Sequence, residues 1–170
     1  MAKLVVLSDS HTDVQTMVSI VAKENPDAVI HLGDHFRDAE QLSGECPAIQ
    51  IHAVPGNTDS EDPGEEWIKF IEIDSKRLML THGHIFLAGY FVDGVPVHRD
   101  ITKIFLEDSR CEDAEIILFG HTHTPYLNYR DGVWIMNPGR VGRTVGNTAH
   151  VTYGILVIDQ GLVHWEIMEI

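Results

Sequence analysis

The sequence predicts an α/β fold in which two packed sheets carry helices on their outer faces. Two observations lead to this prediction. Ahead of Tyr126, short apolar runs rich in β-branched residues alternate with segments of helical periodicity, a pattern typical of α/β domains. From Tyr126 onward, short runs are separated by turn signals at residues 130–132 and 159–161, which is typical of antiparallel hairpins. The later strands are therefore expected to complete the second sheet.

Six apolar runs are interpreted as buried strands because they are short and most of them are rich in β-branched residues. They are Leu4–Leu7, Ala28–Leu32, Ile49–Val54, Leu78–Leu80, Ile116–Phe119 and Val133–Met136. A helical segment separates the first two of these strands, so the chain is expected to begin with a βαβ unit.

The helix of that unit is predicted over Val14–Glu24, where apolar side chains recur at helical spacing. Thr12 and Gln15 stand at the spacing of a capping box, which predicts that Thr12 caps this helix. A second amphipathic segment, Val97–Cys111, precedes the strand Ile116–Phe119, so strands and helices alternate again.

Length and composition indicate one domain, spanning residues 1–170. A chain of 170 residues that is 44% hydrophobic has enough apolar surface to bury a core of its own. It contains no uninterrupted apolar run of about 18 residues, and the first strand begins without a cleavage signal, so we expect a cytoplasmic protein without a membrane span. Cys46 and Cys111 stand far apart and predict neither a disulfide framework nor a cysteine zinc site.

The charge of the chain excludes one class of partner. A formal net charge of −14 would repel a nucleic-acid backbone, whose non-specific binding depends on Lys and Arg, so bulk nucleic-acid binding is not expected. Bound cations could offset part of this negative charge. The 11 histidines are therefore the most informative part of the composition.

Five of the predicted strands end in residues that commonly bind metals. The carboxyl ends of strands in an α/β sheet line one crevice, so these side chains should converge although they are far apart in sequence. Seven candidate ligands result: Asp9, His11, Asp34, Asn57, His82, His121 and His123. Imidazoles and carboxylates without a thiolate suit Mn²⁺, Fe, Zn²⁺, Ni²⁺ or Co²⁺. Seven ligands exceed the needs of one ion and favour two ions about 3.5–4 Å apart that share a bridging carboxylate.

Each of these motifs taken alone is equally typical of a turn or a helix cap. Five strand ends that repeatedly choose histidine favour a metal site over independent turns. The other histidines are kept outside the ligand set. His35 and His84 adjoin ligands and are candidates for substrate contact or for solvent exposure, whereas the remaining five are interpreted as core, edge or surface residues: His31, His52, His98, His150 and His164.

An ordered set of motifs resembles the calcineurin-like metallophosphoesterases, in their small single-domain YfcE-type branch. The motifs are D-S-H at 9–11, G-D at 33–34, G-N-T-D at 56–59, H-G-H at 82–84, G-H-T-H at 120–123 and N-P-G-R at 137–140. The resemblance spans most of the chain. It implies a four-layered αββα sandwich of two mixed sheets flanked by helices.

The resemblance also implies roles for the seven ligands. One ion would be held by Asp9, His11, Asp34 and His123, with Asp34 as the bridge. The other would be held by Asn57, His82 and His121. A hydroxide between the two ions would be the nucleophile, since metal coordination lowers the pKa of a bound water.

Two departures from the family pattern affect the expected chemistry. Thr58 stands where larger relatives have a histidine that is thought to protonate the leaving group, and a threonine is no useful acid near pH 7. Asp59 and His84 are therefore the candidate catalytic side chains. Arg140 stands where the motif commonly continues with serine, with Arg143 close behind, and is a candidate phosphate-binding residue.

These observations favour a metal-dependent phosphodiesterase acting on a small phosphate ester, with Mn²⁺ as the favoured ion. Two alternatives stay open: a phosphomonoesterase, and a non-enzymatic scaffold like the retromer subunit that shares this fold. The loop at 85–96 would help to shape a substrate pocket. The sequence leaves homo-oligomer formation open.

Overall fold

The computed structural model describes residues 1–59, 66–88, 91–92, 95–96, 100–143 and 150–170. Within these ranges the chain forms two five-stranded sheets, a short two-stranded sheet and three α-helices. Both large sheets are mixed, which confirms the predicted α/β class. No helix among the described residues is long and apolar enough to cross a membrane.

The first sheet has the strand order β12-β11-β1-β2-β3. Its members are β1 (Ala2–Leu7), β2 (Ala28–His31), β3 (Gln50–Ala53), β11 (Thr152–Asp159) and β12 (Leu162–Glu169). Strands β1, β2 and β3 run parallel to one another, whereas β11 pairs antiparallel with both β1 and β12. The carboxyl ends of the three parallel strands therefore lie at one edge of the sheet.

The second sheet has the strand order β4-β5-β8-β10-β9. Its members are β4 (Ile68–Ile73), β5 (Lys76–Thr81), β8 (Ile116–Leu118), β9 (Pro125–Arg130) and β10 (Val133–Pro138). Strands β5, β8 and β10 are parallel, and the outer strands β4 and β9 are antiparallel to their neighbours. The short strands β6 (Phe91–Val92) and β7 (Val95–Pro96) pair with each other.

Side-chain alternation along the strands creates four layers. In β1, Leu4 and Val6 face a core between the two sheets, whereas Val5 and Leu7 face a second core under α1 and α2. A third core packs Phe105 of α3 against the outer face of the second sheet. The layers are therefore helices, sheet, sheet and helices, as the predicted αββα sandwich requires.

The helices are α1 (Val14–Glu24), α2 (Phe36–Glu45) and α3 (Ile101–Leu106), with a 3₁₀ turn at Ser109–Cys111. Helix α1 has the predicted bounds, but its cap was predicted wrongly. Asp13 caps the helix by accepting a hydrogen bond from the Thr16 backbone N–H, and Thr12 has a φ of 73°. Left-handed backbone at Thr12 takes this residue out of the N-cap position, where the backbone is normally extended.

The second predicted helix is shorter than the amphipathic pattern indicated. Of Val97–Cys111, residues 97–99 lie outside the described residues, α3 ends at Leu106, and a 3₁₀ turn follows Asp108. The Asp108 carboxylate binds the backbone N–H and the guanidinium of Arg110, which stabilises a new turn in place of a continuous helix.

Helix α2 and the strands β4, β6 and β7 had no sequence prediction, and β6 and β7 lie in the segment 85–96 that was interpreted as a loop. Helix α2 buries only Asp38, Ala39 and Leu42, so its apolar face is too narrow to produce a clear helical pattern. Strand β4 lies at a sheet edge and is only partly buried. The two hairpins were predicted correctly, with left-handed backbone at Asp131, Gly132, Gln160 and Gly161.

Candidate metal centre

The predicted ligands lie in loops at the carboxyl ends of five strands. Asp9 and His11 follow β1, Asp34 follows β2, Asn57 follows β3, His82 follows β5, and His121 and His123 follow β8. The parallel strands of both sheets thus direct these loops toward one end of the sandwich. The following distances show that the seven side chains form one continuous cluster.

Four of the side chains form the first half of this cluster. Asp9, His11, Asp34 and His123 each offer one ligand atom, and these four atoms all lie within 4.8 Å of one another. Nε2 of His123 is 3.0 Å from Oδ1 of Asp9, and Nε2 of His11 is 3.9 Å from Oδ2 of Asp34. Two imidazoles and two carboxylates at these separations can surround a single divalent ion.

His82 is the centre of the second half. Its Nδ1 is 2.7 Å from the carbonyl oxygen of Leu32, and because a carbonyl only accepts, Nδ1 carries the proton. Nε2 then faces two acceptor oxygens, Oδ1 of Asn57 at 3.1 Å and Oδ1 of Asp34 at 3.3 Å. Acceptor atoms on neighbouring side chains converge in this way when they bind the same cation. The ring of His121 lies beside them, 5.1 Å from the ring of His82.

Asp34 belongs to both halves because its two oxygens point in different directions. Oδ1 faces His82, whereas Oδ2 faces His11. Oδ1 also accepts a hydrogen bond of 3.1 Å from the Thr58 backbone N–H, which fixes the orientation of the carboxylate. This is the geometry that a bridging carboxylate requires.

The backbone at the ligands is strained. Five of the seven ligand residues have a positive φ, which is uncommon for side chains other than glycine. Their φ angles are 56° at Asp9, 44° at His11, 55° at Asp34, 66° at His121 and 56° at His123. Residues in such sparsely populated regions typically cluster at functional sites, where the surrounding structure holds them in place.

Two glycines allow the ligand loops to approach one another. A Cβ at Gly56 would lie 2.3 Å from the Asp34 backbone nitrogen, and a Cβ at Gly120 would lie 1.9 Å from Oγ of Ser8. Any larger residue would force these loops apart. Gly56 of the G-N motif therefore lets the loop after β3 pack against the loop after β2. Gly120 of the G-H motif does the same for the loops after β8 and β1.

Electrostatics at Asp9, His11 and His121 favour the forms that bind metal. Burial lowers the pKa of His11 and of His121, which keeps both imidazoles neutral. Burial alone would raise the pKa of the Asp9 carboxyl, but contacts with His123, His82 and Ser8 bring it below its usual value. The contact with Asp9 in turn raises the pKa of His123. Ionised carboxylates and neutral imidazoles are the ligand forms of these side chains.

Asp9 provides a further test of whether a cation fits. Its Oδ2 accepts hydrogen bonds from Oγ of Ser8 at 2.5 Å and from the His121 backbone N–H at 3.2 Å. Its Oδ1 is fully buried and, among the described residues, accepts no hydrogen bond of good geometry, although Nε2 of His123 lies 3.0 Å away as an ion-pair contact. A buried carboxylate oxygen without such a partner is costly, and a coordinated ion would remove that cost. The residues present therefore fit a metal site.

A buried hydrogen-bond network supports the loop that carries Asp9 and His11, and the sequence analysis missed it. Oγ of Ser10 donates to Oδ2 of Asp38 at 2.7 Å and lies 3.0 Å from Nε2 of His31. The same Asp38 oxygen accepts the Thr12 backbone N–H at 2.7 Å. His31 is fully buried, as its interpretation as a core residue predicts, and it belongs to this network. The part that His31 plays in the network becomes visible only from its polar neighbours, and the members of the network come from three separate segments of the chain.

The two candidate catalytic side chains have different surroundings. Asp59 accepts hydrogen bonds from the backbone N–H groups of Gly56 and Phe36, both at 2.7 Å, which ties the loop after β3 to the start of α2. His84 packs its ring 4.4 Å from that of Trp67 and 5.5 Å from that of His82. Burial and the neighbouring histidines lower the pKa of His84 to about 4. Asp59 thus has a structural function, and His84 lies beside the ligands.

The predicted substrate-binding residue borders a cavity next to the ligands. Arg140 is buried and, with His123, lines a cavity of about 600 Å³. Arg143 and Thr58 are exposed, and His35 packs its ring 5.2 Å from that of His11. In the loop at 85–96, residues 89–90 and 93–94 lie outside the described residues.

Comparison with known proteins agrees with this geometry. The family model of the calcineurin-like phosphoesterase superfamily domain matches residues 2–161. The "Probable metallophosphoesterase" of Mycoplasma pneumoniae is 28% identical over 163 residues, an alignment that covers 95% of this chain and 92% of that protein. Phosphodiesterase YfcE of Escherichia coli strain K12 is 25% identical over 183 residues, covering 94% of this chain and 89% of that protein.

Solved structures show the same fold. A conserved uncharacterized protein of Streptococcus pneumoniae TIGR4 superposes with a TM-score of 0.73 at 24% identity, covering 99% of this chain and 89% of that chain. Wild-type Vps29 of Entamoeba histolytica, complexed with Zn²⁺, superposes with a TM-score of 0.69 at 18% identity, covering 98% of both chains. At these identities the likeness concerns the fold alone.

Proposed function

Because the chain belongs to the calcineurin-like phosphoesterase superfamily, we propose that it hydrolyses phosphate esters with two divalent metal ions and prefers phosphodiesters. The observation that carries the proposal is the position of Asp34. One of its oxygens faces His82 and the other faces His11, so a single carboxylate can bridge two ions.

The proposed ligand assignment follows the two halves of the cluster. Asp34 contributes to both, and the others divide into two groups: Asp9, His11 and His123 for one ion, and Asn57, His82 and His121 for the other. When bound, the ions supply a Lewis acid and lower the pKa of a water that attacks phosphorus. Mn²⁺ is our favoured ion because the set contains no thiolate.

The protein side chains hold the metal ligands in their reactive forms. The Leu32 carbonyl accepts the Nδ1 proton of His82 and so directs its unprotonated Nε2 toward the cluster. Ser8 and the His121 backbone N–H bind one oxygen of Asp9 and direct the other inward. The chain thereby prepares both ligands before any metal binds.

The charge beside the centre favours a diester over a monoester. A diester carries one negative charge and a monoester dianion carries two. Arg140 is the one arginine or lysine among the described residues that line the adjacent cavity, and the chain as a whole carries a charge of −14. Beyond the charge of the proposed metal ions, this one additional cation suits the singly charged group better. A phosphomonoesterase is therefore the second candidate.

Proton donation to the leaving group is the weak part of this site. The Thr58 side chain is not acidic near neutral pH, and the Asp59 carboxylate accepts two backbone hydrogen bonds. His84, beside His82, is the remaining candidate, but burial lowers its pKa to about 4, so it is neutral near pH 7 and a poor proton donor. The proposed enzyme should therefore act best on esters whose leaving groups need no proton.

A binding scaffold of the retromer type has less support than an enzyme. The fold is compatible with both, because one fold can carry unrelated functions. In this chain all seven ligand positions carry ligand-type side chains, and the described geometry brings them together. Strained backbone at five of them has no evident use in a surface that only binds another protein.

The experiment that tests the proposal is a substrate screen with metal-loaded protein. Protein stripped of metal is reloaded with Mn²⁺ or Zn²⁺ and assayed on matched aryl phosphodiesters and monoesters. We expect diester hydrolysis that requires added metal and disappears in His82→Ala. His164→Ala is the control, since His164 is exposed on β12. Faster monoester hydrolysis would favour the second candidate, and no hydrolysis of either class would favour the scaffold.

A further inference from the structure

We propose that the cavity beside the metal centre binds the alcohol substituent of the phosphodiester, and that Glu169 and Thr152 select a hydroxyl-rich substituent such as glycerol or a sugar. This inference rests on the proposed phosphodiesterase activity and assigns the part of the substrate that the metal ligands do not contact. The sequence analysis had assigned no role to the carboxyl end of β12.

The cavity runs from the metal ligands to the end of the first sheet. His123 lies at its metal end and Arg140 follows. The Thr152 backbone N–H donates a 2.8 Å hydrogen bond to the Arg140 carbonyl, and Thr152 pairs with Glu169 across β11 and β12. His150 lies next to Glu169, with Nδ1 facing Oε1. A substrate phosphate at the metals would therefore place one substituent over Arg140 and Thr152, toward Glu169.

The lining favours hydroxyl groups. Glu169 accepts hydrogen bonds, and its carboxylate can accept more than the one that Oε1 receives from His150. Thr124 and Thr152 add hydroxyls that both donate and accept, while Pro125 and Ile167 give apolar contacts for the carbon chain. A sugar or glycerol presents alternating donors and acceptors on a short carbon chain, which matches this set.

Two other kinds of substituent fit less well. A cationic head group would lie near Arg140 and would compete with His150 for the Glu169 carboxylate. A nucleobase would find no Phe, Tyr or Trp to stack on among the described residues that line the cavity. The volume of about 600 Å³ lies within the range of roughly 300–1,000 Å³ typical of small-molecule sites, so a methyl group would leave most of it unfilled.

The test keeps the leaving group constant and changes the other substituent. p-Nitrophenyl phosphodiesters that carry a methyl, a glyceryl or a choline group are assayed with the Mn²⁺-loaded protein. The readout is kcat/KM for each ester, with the ratio of glyceryl to methyl as the measure of selection. We expect this ratio to be about tenfold, as one or two hydrogen bonds to a charged group would produce.

Variants assign the selection to particular side chains. Glu169→Gln should lower the glyceryl-to-methyl ratio toward one, mainly through KM, and Thr152→Val should lower it in part. Glu166→Gln is the matched control, because residues 166 and 169 lie on opposite faces of β12 and Glu166 is exposed. His150→Ala should keep or increase the ratio, because the Glu169 carboxylate then becomes more accessible.

The outcomes separate this inference from the proposed function. Equal rates for the glyceryl and methyl esters, or a preference for the choline ester that Glu169→Gln abolishes, would overturn the hydroxyl-binding site and leave the phosphodiesterase intact. An unchanged ratio in both Glu169→Gln and Thr152→Val would overturn the assignment of these residues. Absence of metal-dependent hydrolysis of all three esters would overturn both proposals.

Discussion

Oδ1 of Asp34 lies 3.3 Å from Nε2 of His82, while the other oxygen of the same carboxylate faces the opposite half of the ligand cluster. The carboxylate is 5% exposed, so both contacts are made in a largely dry environment. Asp34 is thus the side chain on which the two proposed metal sites depend together.

We predict that Asp34→Asn weakens both metal sites, because an amide offers one neutral oxygen where the carboxylate offers two charged ones. Elemental analysis of reconstituted protein should find about two ions per chain in the wild type and less than one in the variant. Asp113→Asn, at an exposed position, is the control. Loss of a single ion in Asp34→Asn would place the bridge at another residue.

Activity should depend on added divalent metal. We expect a chelator followed by dialysis to abolish turnover and Mn²⁺ to restore it, since no cysteine is available among the ligands to retain zinc. Metal should also raise the unfolding temperature, because it binds the folded chain. Turnover that persists at full rate in excess chelator would contradict the dependence on metal.

His82→Ala should reduce kcat/KM by more than about a hundredfold, since the loss of even an outer partner of a ligand costs roughly 10- to 100-fold. His164→Ala should leave it unchanged. Steady-state kinetics with saturating Mn²⁺ compare the two variants. Similar activity in both would remove His82 from the site.

The network behind the first ligand loop gives a prediction for Ser10. Its hydroxyl connects Asp38 to His31, so Ser10→Ala removes the partner of the buried Nε2 of His31 and one of the two hydrogen bonds to Oδ2 of Asp38, at a cost of about 1–3 kcal/mol in the free energy of unfolding. Mn²⁺ affinity should also fall, by about 10-fold or more, because the loop that carries Asp9 and His11 loses its support.

Denaturant unfolding of metal-free protein and calorimetric titration with Mn²⁺ measure these two effects separately. Ser19→Ala is the control, because the Ser19 hydroxyl only bonds the Gln15 carbonyl on the exposed side of α1. A destabilised Ser10→Ala variant that binds Mn²⁺ with wild-type affinity would show that the network supports the fold and not the ligands.

Tyr153 gives a prediction about the stability of the fold. Its hydroxyl donates to Glu24 at 2.7 Å and accepts from Lys23 at 3.0 Å, and it lowers the pKa of the Glu24 carboxyl against the opposing effect of burial. Tyr153→Phe should therefore lower the free energy of unfolding by about 1.5 kcal/mol at pH 7. Tyr129 is exposed on β9, so Tyr129→Phe should change the free energy of unfolding little.

The pH dependence of that cost has a defined sign. The pKa of Glu24 is lower in the folded chain than in the unfolded chain, so its stabilisation is present above the unfolded value of about 4.5 and is lost as pH falls through the folded value. The difference between wild type and Tyr153→Phe in denaturant unfolding should shrink between pH 7 and pH 3. A constant difference would mean that the hydroxyl stabilises Glu24 equally in its neutral form.

The residues show why some features could be predicted and others could not. Asp9 and His123 were predictable because each lies within a few residues of the end of an apolar run, and parallel strands bring such positions together. The left-handed backbone at His11 and His121 depends on close loop packing that residue type does not encode. The link from His31 through Ser10 to Asp38 joins three segments and becomes visible only when they are folded.

The last prediction concerns the leaving group. With Thr58 unable to donate a proton, the departing alkoxide must be stabilised by metal or water, so the rate should fall steeply as the pKa of the leaving alcohol rises. A series of aryl phosphodiesters and monoesters of graded leaving-group pKa, assayed with saturating metal, measures this slope. Diesters should be hydrolysed faster than matched monoesters, because Arg140 is the one arginine or lysine among the described residues that line the adjacent cavity.

The same series of esters, assayed on His84→Ala, tests whether His84 donates a proton to the leaving group. The His84 ring packs against Trp67 and its pKa is lowered to about 4, so it is neutral near pH 7 and holds no proton that it could readily donate. We therefore expect the slope to be equally steep in the wild type and in His84→Ala. A shallow wild-type slope that becomes steep in His84→Ala would identify His84 as the general acid, since the loss of a proton donor penalises the least acidic leaving groups most.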